Sequence, residues 1–69
     1  MDSILEDGIG KIAGEVWNFL EDSGESSLTQ INDAVDEPRS RVNMAIGWLA
    51  REGKLEFNDE GRGFSVNLK

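Results

Sequence analysis

The chain has 69 residues, 38% of them apolar and 30% charged, and its 14 acidic against 7 basic side chains leave a net charge of −7. That length suits one domain, taken as residues 1–69, which buries only about 60% of its unfolded surface and has little stability in reserve. With neither Cys nor His in the chain, disulfides, thiolate or imidazole zinc sites and histidine-based acid–base or nucleophilic chemistry are excluded, and the negative charge works against a polyanion.

The first residues, Met1 to Asp7, lack a basic segment followed by a long apolar run, so no signal peptide is expected. A helix is predicted over about 8 to 22, with an earlier start left open. Ile9, Ile12, Ala13, Val16, Phe19 and Leu20 recur at helical spacing, Trp17 stands on one shoulder, and Lys11 and Glu15 lie four apart on the opposite side. Gly8, Gly10 and Gly14 give a G-x-G-x-x-x-G spacing with no strand before it and no G-K-[ST], so a phosphate loop is not indicated. Each glycine inside a helix costs about 1 kcal/mol relative to alanine. The expectation is that Gly10 and Gly14 offset this by packing closely against another backbone or ring.

Gly24 is placed to end that helix, and Glu25-Ser26-Ser27 is too short to assign except as a minor strand. Ser27 with Gln30 makes a capping box opening a second helix, whose apolar face is Leu28, Ile31, Ala34 and Val35. Asp36-Glu37-Pro38 closes it and opens a third helix over about Pro38 to Glu52, with Gly53 as its C′ residue and Val42, Ala45, Ile46 and Leu49 as its buried stripe. Lys54–Asn58 and Phe64–Leu68 alternate strictly, as half-buried strands do, around the turn-forming Asp59-Glu60-Gly61-Arg62-Gly63. Helix, helix, turn, helix and hairpin is the order of a winged helix-turn-helix: α+β, three helices packed on a small antiparallel sheet with a C-terminal wing hairpin. Its expected core is Ile9, Ile12, Val16, Leu20, Leu28, Ile31, Val42, Ile46, Leu49, Leu55, Phe57, Phe64 and Val66.

The charge is unevenly divided along these elements. Residues 1–37 hold one lysine and ten carboxylates, a balance of −9, and residues 38–69 hold six basic and four acidic groups, a balance of +2, which together give −7. Such a division can orient a protein on a polyanion, and it is equally what an ordinary acidic surface produces. On the third helix Ser40, Asn43, Gly47 and Arg51 lie opposite the buried stripe, with Arg39 on a shoulder. This is the face that enters a major groove in such folds, where Asn can pair with adenine, Arg with guanine and Ser with a phosphate or base edge. Arg62 is expected to touch a DNA backbone, while Asp59 and Glu60 beside it oppose that contact. Met44 and Trp48 widen the helix's apolar arc to about 200°, where one packed side needs little more than about 100°. Either the first helix and the wing cover them, or they meet a second copy or another protein.

The carboxylates are not arranged with other catalytic groups: Asp33, Asp36 and Glu37, at a helix junction, are most simply explained by capping, and Asp59-Glu60 lacks calcium-loop spacing. No enzymatic activity, cofactor, metal or small-molecule substrate is expected. No apolar run approaches the roughly 20 residues of a membrane span, so a soluble cytoplasmic protein is the expectation.

Two segments, Ile9-Gly10-x-x-Ala13-Gly14-x-x-Trp17 and Met44-Ala45-Ile46-Gly47-Trp48-Leu49-Ala50-Arg51-Glu52-Gly53-Lys54, carry a resemblance. They resemble a small prokaryotic family of stand-alone winged helix-turn-helix proteins of uncharacterised function. The resemblance implies the fold and, by analogy, DNA binding, and it brings no catalytic or cofactor residues. The functional expectation is a transcription-related DNA-binding protein, acting as a homodimer. A protein-interaction or dimerisation module without nucleic acid is the alternative.

Overall fold

A computed structural model describes residues 2–59, 61 and 63–69, with side chains described from Gly8 onward. Helix α1 (Asp2–Ser23), strand β1 (Ser26–Ser27), helices α2 (Leu28–Ala34) and α3 (Arg39–Arg51), and strands β2 (Leu55–Asp59) and β3 (Phe64–Leu68) follow in that order. Helix α1 starts well before residue 8, and Gly8 and Gly10 do not interrupt it. It ends where expected: Gly24, at φ 76°, turns the chain while its N–H donates to the Leu20 carbonyl at 2.8 Å.

The capping box of α2 is formed in full. The Ser27 hydroxyl accepts from the Gln30 N–H at 3.1 Å and the Gln30 side chain accepts from the Ser27 N–H at 2.9 Å. Helix α3 begins one residue later than its sequence suggested. Pro38 has ψ 139°, so it is the N-cap and not the first helical residue, and its carbonyl accepts from Arg41 and Val42 at 2.9 and 3.0 Å. At the other end Gly53, at φ 74°, donates to the Ala50 carbonyl and Lys54 donates to the Leu49 carbonyl, both at 3.0 Å. These are the two bonds of a Schellman ending, and they release the chain directly into β2.

The strands form one antiparallel sheet in the order β1-β3-β2. The short β1 pairs Ser26 with Val66 and Ser27 with Ser65, while β2 pairs with β3 from Leu55↔Leu68 to Asp59↔Phe64. One face of the hairpin carries Leu55 and Val66 into the core. The other is a polar ladder in which Asn58 donates to Asn67 at 2.6 Å and Asn67 donates to Glu56 at 3.2 Å. Ser65, on that same face, is buried and donates to the Glu25 carboxylate, tying the end of the α1–β1 connection to the central strand.

The core gathers Ile9, Ile12, Ala13, Val16 and Leu20 from α1, Ile31 from α2, Val35 after it, Val42, Ala45, Ile46 and Leu49 from α3, and Leu55 and Val66 from the sheet. The small residues Ala13 and Ala45 suit a close approach of α1 and α3, which make the most extensive contact in the fold. Trp17, Phe19, Leu28 and Leu68 pack against this core while partly exposed, so Leu28 lies at its margin and not inside it. Lys54 places its Nζ 5.6 Å from the Trp17 ring centroid, a cation–π contact closing the side of α1.

Three expectations are corrected. Phe57 and Phe64 are 45% and 42% exposed although they share the hairpin face on which Leu55 and Val66 are buried. Phe57 stands on the edge strand β2, opposite the buried Val66 of the central strand, and Phe64 stands at the open end of the hairpin. Gly10 and Gly14 are exposed on α1, and a Cβ built at either meets nothing within 4 Å, so they serve no close packing inside this chain. The acids Asp36 and Glu37 precede α3 without capping it: the first turn holds no acidic residue, and no side chain caps Pro38.

Candidate functional site

The face of α3 turned away from the core is set by helical geometry. With Val42, Ala45, Ile46 and Leu49 buried on one side, Arg39, Ser40, Asn43, Gly47 and Arg51 are exposed on the other. They span the length of a 13-residue helix. Arg39 and Ser40 occupy its first turn and Arg51 its last, where a cation suits the negative end of the helix. Arg41 joins Arg39 in the first turn and is also exposed. Cations there oppose the helix dipole, so they do not serve the helix's own stability. Sequence reading did not single out Arg41, although its place one residue before the buried Val42 sets it about 100° around the helix from the core.

Asn43 is tied to α2. Its Oδ1 accepts from the Asn32 Nδ2 at 3.2 Å, and the same Asn32 group donates to the Leu28 carbonyl at 2.9 Å. The bond fixes Asn43 against α2, the first helix of the helix-turn-helix, and takes up one of its two hydrogen-bonding ends. Gly47 contributes no side chain, and a Cβ there would meet nothing within 4 Å, so the face is bare backbone at that position.

Met44 and Trp48 are 47% and 41% exposed, so of the two alternatives left by the sequence, the one in which α1 and the wing cover them does not hold. Met44 stands four residues after Ser40 and three before Gly47, which puts it within the outward face and not merely beside it. Trp48 lies on the Arg41 side of the same helix. A polar strip and an apolar strip therefore interleave on one helix surface. The expected backbone contact Arg62 lies outside the described residues.

Among the described residues no cluster of three or more His, Cys, Asp or Glu side chains could hold a metal ion. No described helix is long and apolar enough to cross a membrane. What the surface offers is a helix face with hydrogen-bonding and cationic groups at its ends and apolar side chains at its middle.

A three-helix domain with a short strand inserted before α2 and a terminal antiparallel hairpin defines the protein as a winged helix. Residues 1–68 match the winged helix-turn-helix domain (DUF2582) family, and the chain belongs to that family. It is 39% identical over 64 residues to the uncharacterized protein MJ1608 of Methanocaldococcus jannaschii, a match covering 88% of this chain and 90% of that one. In three dimensions it is similar to the Zalpha domain from Carassius auratus PKZ in complex with Z-DNA, with a TM-score of 0.79 and 20% sequence identity. That superposition covers 88% of this chain and 97% of the other.

Proposed function

We propose that this protein binds double-stranded DNA through the outward face of α3, in a transcription-related role. The observation that carries the reading is the exposed first turn of α3, where Arg39, Ser40 and Arg41 stand without an acidic neighbour in the turn or a side-chain cap. A phosphate there would meet two guanidinium groups and the positive end of the helix dipole. Asn43 and Arg51 then provide groups that recognise base edges, and the bare backbone at Gly47 allows close approach between them. Arg62, from the wing, would add a backbone contact. The solved neighbour of the same fold is a complex with Z-DNA, which supports nucleic acid as the ligand class. Since so few cations face the duplex, a homodimer that doubles the contacts is part of the proposal.

The exposed Met44 and Trp48 favour a second reading, an interaction or dimerisation module that engages protein through the same helix. Because Met44 lies between Ser40 and Gly47, a partner seated on these two residues would cover the proposed DNA face. A dimer compatible with DNA binding must therefore pair elsewhere or through the Trp48 side alone.

Amide NMR of the labelled chain, titrated with a mixed-sequence B-form duplex and with an alternating dC-dG duplex held left-handed, tests both readings. Shifts gathered on α3 and weakened by added salt support DNA binding, and the duplex giving the tighter response identifies the form preferred. A folded spectrum unmoved by either duplex rejects the DNA reading. Sedimentation of the wild type and Trp48→Gln addresses the module: self-association lost in a variant that remains folded supports it.

A further inference from the structure

At the open end of the β2–β3 hairpin three exposed side chains share one face. Asp59 is paired directly with Phe64, and Phe57 lies diagonally from Phe64, beside its own partner Val66. By the two-residue period of a strand all three project to the side on which Leu55 and Val66 are buried, yet all three are exposed. The two rings meet edge to face, with centroids 5.6 Å apart and planes at 68°. Together with Asp59, Gly61 and Gly63 they line an open concavity of about 590 Å3. The glycines on its rim add no bulk, and a Cβ at either would meet nothing within 4 Å. Asp59 is held at the rim by the Gly61 N–H, which donates to its Oδ1 at 2.9 Å.

Aromatic rings beside a carboxylate make a surface complementary to an organic cation. The ring faces are electronegative and the carboxylate supplies a full charge. A purely apolar guest would strip water from Asp59 without replacing its hydrogen bonds. A phosphate would be repelled by the Asp59 carboxylate in the lining. A basic side chain suits every wall, its methylene stem lying on the rings and its charged head at the carboxylate. The fold already contains one such pairing in Lys54 over Trp17.

We propose that the face formed by Phe57, Asp59 and Phe64 docks a lysine or arginine side chain presented by a protein partner. This site is separate from the α3 face and does not depend on DNA binding.

The test is NMR of the full labelled chain titrated with Nα-acetyl-arginine methylamide and Nα-acetyl-lysine methylamide. The norleucine analogue, which keeps the stem and lacks the charge, and deoxyadenosine monophosphate are the comparison probes. The cationic probes are expected to shift residues 57–64, with a response about two- to fivefold steeper than norleucine's. Asp59→Asn retains an Oδ1 acceptor for Gly61 and is expected to bring the cationic response down to the norleucine level. Phe64→Ala, at an exposed position, is expected to remove the response while the rest of the spectrum stays in place. The proposal is overturned by an equal response to norleucine, a stronger response to the nucleotide, shifts spread over the acidic residues 1–37, or no response.

Discussion

Gly10, Gly14 and Gly47 each lie inside a continuous helix and have open space where a methyl would go. Glycine at such positions weakens a helix because the unfolded chain gives up more freedom there, and nothing inside this molecule repays it. Gly10→Ala and Gly14→Ala are each expected to stabilise the fold by about 0.5–1 kcal/mol. The readout is a higher denaturant midpoint at unchanged slope. Gly47→Ala should gain a similar amount of stability and at the same time lose duplex affinity, because its methyl would stand on the face proposed to approach DNA. A stability gain with affinity unchanged would remove Gly47 from that contact. The G-x-G-x-x-x-G spacing was legible in the sequence, but its surroundings were not. Periodicity alone did not decide whether those glycines turned toward a neighbour or toward water.

The ends of the elements are set by local capping. Helix α2 spans only Leu28–Ala34, too short to persist by its own hydrogen bonds, so its capping box and packing must sustain it. Ser27→Ala removes the acceptor for the Gln30 N–H and is expected to cost about 1 kcal/mol, within a range of roughly 0.5–2. Because a domain this small shifts its melting point by about 4–8 °C per kcal/mol, the loss should be plain in a thermal melt. Caps were the most readable features of the chain: Ser27 with Gln30, Gly24 and Gly53 all act as their residue types suggest, since capping is local chemistry. Pro38 shows the limit. Its ring sets φ but leaves ψ free, and the observed ψ of 139° makes it the N-cap. The alternation of β2 and β3 was equally readable, yet it marks which residues share a face and not which of them other elements cover. Phe57 and Phe64 are on the core-facing side and still exposed.

On the scale of the whole molecule, a chain of net charge −7 approaches DNA only if its few cations are concentrated at the contact. The slope of log affinity against log salt is therefore the informative quantity. Each phosphate contact contributes about −0.9 to that slope for B-form DNA. Arg39→Ala is expected to lower its magnitude by about 1 and to weaken binding similarly on unrelated sequences. Arg51→Ala, if it reads a base edge, should instead reduce discrimination between sequences while leaving the slope nearly unchanged. Measuring both variants across a salt series separates positioning from readout. An unaltered slope in Arg39→Ala counts against the phosphate contact at the head of α3.

The sequence by itself determined the order of the elements, their caps, the buried stripes of the helices and the winged-helix class. All of these follow from local spacing and backbone chemistry. It also placed Arg39, Ser40, Asn43, Gly47 and Arg51 on the outer side of α3, because a helix with one buried stripe has only one opposite face. Only the tertiary structure decided that Met44 and Trp48 stay uncovered, that Asn43 is bonded to Asn32, and that Phe57, Asp59 and Phe64 meet at an open end of the sheet. Each of those depends on where one element stops relative to another. That is set by the packing of residues distant in the chain, which no local pattern records.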